Sequence, residues 1–126
     1  IDTSEIGEMT GVNVISPTWY ELRDGHGDIT SRVDEDYIDF AKKQDLEIWA
    51  LYSNGFDKDR TREMLRDIEA RDRTIDYILR QCIRYELDGI NLDFENVYEE
   101  DKALLVSYAW QITHELHKKD IVVSMD

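Results

Sequence analysis

Apolar and polar positions along the chain change rhythm repeatedly, from a period of two to a period near 3.6 and back, so that short β-rich stretches alternate with helical ones. Val12-Asn13-Val14-Ile15-Ser16 predicts a first strand, and Pro17, the only proline, follows where a ladder can end without losing an amide donor. Thr18, Trp19 and Tyr20 then stand at its carboxyl end. Arg23 to Asp28, with two glycines, reads as a turn, and from about Asp34 to near Gln44 the spacing of Tyr37, Ile38 and Ala41 predicts a crossover helix. Leu46 to Tyr52 is the second strand, closed by the turn signal Ser53-Asn54-Gly55, with Phe56 in the following loop. Residues 58 to 70 predict a polar helix with Met64, Leu65 and Ile68 inward, and residues 73 to 86 another with Ile75, Ile78, Leu79 and Cys82 on its buried face. Asp88 to Glu95 is the third strand. Residues 99 to 119 form the longest helix, striped by Leu105, Tyr108, Ile112 and Leu116, and Ile121 to Met125 is the fourth strand. The polar residues 1 to 10 predict only a short helical or irregular lead-in.

This order, strand and helix in repeats of some 30 to 40 residues, is how right-handed parallel crossovers are built. The fold class is therefore α/β, a partial TIM (β/α)8 barrel with about four parallel strands, because a complete barrel has eight strands and typically about 250 residues. Residues 1–126 are expected to be one incomplete domain of such a barrel. Its first and last strands would then present unpaired edges and favour self-association.

Composition narrows the partners more than the fold. With 29 acidic against 15 basic residues the formal net charge is −14, which repels phosphate backbones and anionic membranes, so neither nucleic acid nor membrane is expected as a partner. No apolar run approaches the roughly 20 residues of a membrane span, and Ile1 opens no signal-peptide pattern. Cys82 is single, and His26, His114 and His117 lack partners at metal-site spacing, so neither a disulfide nor zinc is expected. A dinucleotide fingerprint fails too: after Gly25 and Gly27 the third glycine position holds Thr30. No cofactor is expected.

The chemistry gathers in Asp88-Gly89-Ile90-Asn91-Leu92-Asp93-Phe94-Glu95. Alternation puts Asn91, Asp93 and Glu95 on one face of the strand and Ile90, Leu92 and Phe94 on the other. In a parallel barrel the first face looks inward, and catalytic groups collect at the carboxyl ends of strands. Asp93 and Glu95 would stand nearly 7 Å apart, close enough to lean toward one substrate group, and such pairs resist ionising together. Glu95, nearest the mouth, is the better proton donor; Asp93, one step deeper, is better placed to stay charged.

This segment resembles the D-x-x-D-x-D-x-E signature of glycoside hydrolase family 18, the chitinase-like enzymes. With Val14 through Tyr20, Ile48 through Leu51 and Asn54, the chain resembles in particular the spore-germination and cortex-lytic branch. The resemblance implies retaining hydrolysis in which the substrate's own 2-acetamido group is the nucleophile. Glu95 would be the general acid and later the base, Asp93 would orient the acetamide and stabilise the cyclic intermediate, and Asp88 would brace the strand's lower end. The substrate would be an N-acetylglucosamine-containing polymer, chitin-like or peptidoglycan, and the parent protein would act outside the cell, at the cell envelope or on the spore. Asn91 departs from the commonest pattern, which has an aspartate there; an amide can hydrogen-bond but not ionise, so Asp93 is expected to titrate more simply. The strands supplying a tyrosine and a tryptophan to the sugar site fall outside the segment, so the isolated chain is expected to be inert.

Blander roles compete for several positions. Trp19 and Tyr20 suit either a sugar-stacking wall or loop core, Asn54 and Ser53 either substrate contact or turn chemistry, and Trp49 and Trp110 are more simply packing residues. Cys82 reads as a small buried hydrophobe. A cation site made by Asp88, Asp93 and Glu95 is the lesser alternative to the acid–base reading. At the level of function, the alternatives are a non-catalytic chitinase-like glycan-binding module and an open nucleotide-binding α/β module. The retained Glu95 argues against the first, and the missing glycine fingerprint against the second.

Overall fold

A computed structural model of the chain describes residues 7–9 and 12–125. Its strands are β1 (Gly7–Met9), β2 (Val12–Ile15), β3 (Tyr20–Leu22), β4 (Ile29–Ser31), β5 (Leu46–Ser53), β6 (Gly89–Asp93) and β7 (Val122–Met125). Its helices are α1 (Glu35–Lys43), α2 (Lys58–Leu65), α3 (Ile68–Tyr85) and α4 (Lys102–His117), the last entered through a 3-10 turn at Glu99–Asp101. β2 and β3 both pair with β5 in parallel, β5 with β6, and β6 with β7, giving the expected four-strand parallel sheet with helical crossovers. The expected lead-in is partly corrected: Gly7–Met9 is a strand, and the remainder of residues 1 to 10 lies outside the described residues.

β2 and β3 act as one strand interrupted by a bulge. Ile15 lies opposite Ile48 and Tyr20 opposite Tyr52, so one side holds an extra residue between those two pairings. Pro17 sits in that bulge, where its missing amide costs no ladder bond, and its carbonyl accepts from Trp19 N at 3.0 Å and Leu51 N at 2.9 Å. The expectation of a bare first-strand edge is also corrected, because β1 pairs antiparallel with β2 and β4 with β3. Among the described residues, the far edge of β7 has no strand partner.

Three helices open on an aspartate whose side chain accepts from the first-turn amides: Asp34 for α1, Asp57 for α2 and Asp67 for α3. Asp67 also explains a misplaced boundary. The helix expected over residues 58 to 70 stops at Leu65 and a new one starts at Ile68, because the Asp67 carboxylate takes the Glu69 and Ala70 amides and restarts the helix there. Ile68, expected inward, is the first residue of that new helix and is 73% exposed.

The sheet has two unlike faces. Ile48, Ala50, Tyr52, Ile90, Leu92 and Phe94 are buried beneath the helices with Ile78, Cys82, Tyr108 and Ile112. Glu47, Trp49, Leu51, Ser53, Asn91 and Asp93 alternate with them, are only half-buried, and form the face that a closed barrel turns inward. Trp49 packs there over Gly89, where a Cβ would lie 2.9 Å from the indole Cγ, and it donates to Glu47 Oε1 at 3.0 Å. Trp110 is corrected from packing residue to surface residue: it is 73% exposed and lines an apolar groove with Val106, Val123 and Met125 beside β7. Cys82 is buried, and burial pushes its thiol up to about 12.

Candidate active site

β6 carries the middle of the acidic motif, with Asp88 directly before it and Glu95 two residues after it, and the roles of these residues separate by height. At the foot, Asp88 Oδ2 accepts from Ile48 N at 2.9 Å, tying the start of β6 to the middle of β5. Burial raises the Asp88 carboxyl above its usual range, against the bond from Ile48, with Glu47 adding repulsion. Five residues separate it from Asp93, roughly 17 Å at strand rise, so one cation could not be shared by the two. Halfway up, Asn91 Oδ1 accepts from Ser124 Oγ of β7 at 3.2 Å. Asp93 is the last ladder residue, opposite Ser53, and is half-buried on the open face.

Glu95 is not the end of the strand. It stands two residues beyond the ladder and is exposed, while Phe94 between the two carboxylates is buried under the helices. What holds the Glu95 backbone is a side chain from the neighbouring strand. Asn54 Oδ1 accepts from Glu95 N at 3.1 Å, and Asn54 Nδ2 donates to Glu95 O at 2.8 Å. The same amide donates to Thr61 Oγ1 at 2.9 Å and accepts from Phe56 N at 3.2 Å. Asn54 is 0% exposed, so these bonds form without competition from bulk water.

Below this contact the segment after Glu95 is fastened at three further points to α2 and the residues that flank it. Asn96 Nδ2 donates to Phe56 O at 2.8 Å, and Tyr98 Oη donates to Asp59 Oδ1 at 2.6 Å while its ring lies 3.8 Å beneath the Arg62 guanidinium. Asp101, 0% exposed, accepts from Arg62 Nε at 2.8 Å and from Arg66 Nε and Nη2 at 3.1 and 2.9 Å. Burial pushes the Asp101 carboxyl up, but the bonds and charges of Arg62 and Arg66 outweigh it and hold it below its usual range. The stabilisation is therefore fully present above the ordinary carboxylate value near pH 4 and fades as pH falls through the lowered folded value. Asp101→Asn should lower the melting temperature at pH 7 by about 5 °C or more, since charge-assisted bonds are lost. It should also flatten the acid limb below about pH 4, which a melting series from pH 2 to 7 reads directly.

The aromatic wall is corrected. Trp19 and Tyr20 are both buried; Trp19 packs edge-on against Tyr37 of α1 at 5.5 Å, and Tyr20 against Tyr77 of α3 at 6.4 Å with its hydroxyl donating to Gln81 Oε1 at 2.9 Å. They belong to the helix-facing core, where no sugar reaches them. Sequence reasoning missed Thr61, Asn96, Tyr98 and Asp101 as supports of the acid's loop. The N-cap spacing after Asp57 was a signal for the start of α2, but none marked a partner some 40 residues away.

No family model matches the chain. A Bacillus subtilis protein named as an uncharacterized glycosylase, YvbX, is 28% identical over 102 residues, covering 76% of this chain and 30% of that protein. Among solved structures, a sporulation-specific glycosylase of Bacillus subtilis, ydhD, superposes with TM-score 0.84 at 21% identity over 90% of this chain and 40% of its own. The spore cortex-lytic enzyme SleL of Bacillus megaterium gives 0.83 at 17% identity, over 89% of this chain and 27% of its own. A chitinase of Chromobacterium violaceum gives 0.78 at 18% identity, over 89% and 37%. The chain thus spans well under half the length of these proteins, and its fold is that of part of a chitinase-like (β/α)8 barrel.

Proposed function

We propose that this segment is the acid-bearing part of a retaining glycoside hydrolase that cleaves N-acetylglucosamine-containing glycan, of the peptidoglycan or chitin kind. The observation that carries the reading is the pairing of Asp93, at the carboxyl end of a barrel strand, with an exposed Glu95 whose backbone is held in place. In this reading Glu95 gives its proton to the glycosidic oxygen as that bond to the anomeric carbon breaks. The substrate's acetamide oxygen forms the new bond to the same carbon, and Asp93 accepts the acetamide N–H and offsets the developing positive charge. Water, deprotonated by Glu95, then opens the cyclic intermediate with net retention. Asn91 stands one step below Asp93 on the same face, bonded to Ser124 of β7, and Asp88 belongs to the scaffold.

The names of the similar proteins, glycosylase, cortex-lytic enzyme and chitinase, support a glycan substrate, and the spore enzymes among them support a spore-associated or cell-envelope setting. None of the helices is long and apolar enough to cross a membrane among the described residues.

The test is hydrolysis of an aryl N-acetylglucosaminide oligomer by this chain and by a full-length protein that contains it. Chromophore release only by the longer protein is the expected result, since the open face of the sheet offers a sugar one wall of a cleft. Inactivity of both, with retained binding to the glycan, would replace the hydrolase reading with that of a glycan-binding module.

A further inference from the structure

We infer that Asn54 is the positioning residue for the general acid, a role that rests on the hydrolase reading of Glu95. A side-chain amide has two donor hydrogens and two acceptor lone pairs, and every one of the four is used here on protein. Two of the four bonds go to the backbone N–H and C=O of Glu95, two residues beyond the last ladder residue of β6. The other two go to Phe56 N and Thr61 Oγ1, and Thr61 Oγ1 in turn donates to Asp57 O at 2.7 Å, which fixes the amide's own orientation. Asn54 thus acts as a short substitute rung between the end of β5 and the residue after β6.

The geometry around it shows why a rung is needed. Asn96, directly after Glu95, has φ 57°, and Phe56, two residues after Asn54, has φ 58°. Left-handed backbone is uncommon for side-chain-bearing residues, and for a bulky one such as Phe it persists only where neighbouring bonds over-determine it. Here the Asn96 side chain bonds Phe56 O while Asn54 bonds Phe56 N, so the two strained residues and Glu95 are held by one set of amide contacts. A saturated, buried amide leaves nothing for a sugar hydroxyl. Its effect on catalysis is the height and direction of the Glu95 carboxyl, and a displacement of about 1 Å at such a group can cost on the order of 100-fold in rate.

The experiment uses the full-length protein with Asn54→Ala, the isosteric Asn54→Asp, and Leu116→Ala as a core variant in the last turn of α4, beside the foot of β7 and at the opposite end of the sheet from Glu95. Asn54→Ala should lower kcat by about 30- to 100-fold with KM changed less than about threefold, while Leu116→Ala, although less stable, keeps kcat within about twofold. Asn54→Asp keeps both acceptors but sets a carboxylate oxygen against Glu95 O and a charge beside the acid. It should lower kcat by a smaller factor and move the alkaline limb of the pH profile upward. Amide hydrogen exchange gives a readout independent of turnover: in Asn54→Ala the Glu95 and Phe56 amides should exchange at least about tenfold faster, and in Leu116→Ala their rates relative to the rest of β6 should not change. Unchanged kcat in a folded Asn54→Ala, or unchanged exchange at Glu95, overturns the assignment. A wild-type protein that hydrolyses nothing but shows the exchange difference defeats the hydrolase reading alone and leaves the clamp on Glu95 standing.

Discussion

Glu95→Gln, made in a full-length protein containing this segment, is expected to lower kcat/KM on unactivated N-acetylglucosamine oligomers by about 10²–10⁴-fold, the usual span for losing a general acid. Glutamine keeps the shape and the backbone bonds to Asn54 while removing the transferable proton, so the fold should be untouched. The loss should depend on the leaving group. An aryl oxygen with an acidic conjugate acid departs without much protonation, whereas a sugar hydroxyl needs the full proton, so the nitrophenyl substrate should lose less than the natural glycan. Equal losses on both would remove the proton-donor role from Glu95. Binding of the uncleaved oligomer, read by calorimetry, should stay within a few fold, because the lost interaction belongs to the transition state.

Phe94→Ala is expected to cost about 3–5 kcal/mol of folding stability, the largest loss foreseen from any one side chain of the motif. Phe94 is 5% exposed and lies between two rings, edge-on to Tyr52 at 5.0 Å and stacked on Tyr108 at 5.9 Å. Those two tyrosines are themselves committed. The Thr74 hydroxyl donates to Arg71 O at 2.7 Å, so Tyr108 must donate to Thr74, and Tyr52 in turn to Tyr108 at 2.9 Å. With their oxygens held in that chain the rings cannot swing into the space, and the cavity would stay open. Against a total of about 5–15 kcal/mol for an ordinary domain, the urea midpoint should fall by about a fifth or more. Phe94→Leu should recover part of that loss, leaving about 1–3 kcal/mol for the two aromatic pairs it cannot make. A midpoint unchanged in Phe94→Ala would mean that the residue between the two carboxylates is not what seats them.

Both predictions start from residues whose place was legible in the chain. The alternation from Ile90 to Glu95 assigned Phe94 to the helix side and Asp93 to the open side, and the structure follows it one residue past the ladder's end. The helix stripe of Leu105, Tyr108, Ile112 and Leu116 was likewise readable and is wholly buried. Trp19 and Tyr20 were not. Their position at a strand's end suits a mouth or a core equally, and only the bulge at Pro17 decides which way they turn. Ile68 failed for a related reason: a single capping carboxylate at Asp67 moved the helix start and changed which side Ile68 faces.

By itself the sequence determined the period of the long strands and of the helices, the parallel α/β order, the acidic face of β6 and the net negative charge, because all of these depend on neighbours a few residues apart or on totals. Tertiary structure alone decided that Asn54 holds Glu95, that Arg62 and Arg66 bury Asp101, and that antiparallel β1 and β4 cover the edge of the first strand. Each of these joins residues across a strand register or a crossover. A hydrogen bond between positions 41 apart follows from how β5 and β6 align, and that alignment is set by the packing of the whole sheet against its helices.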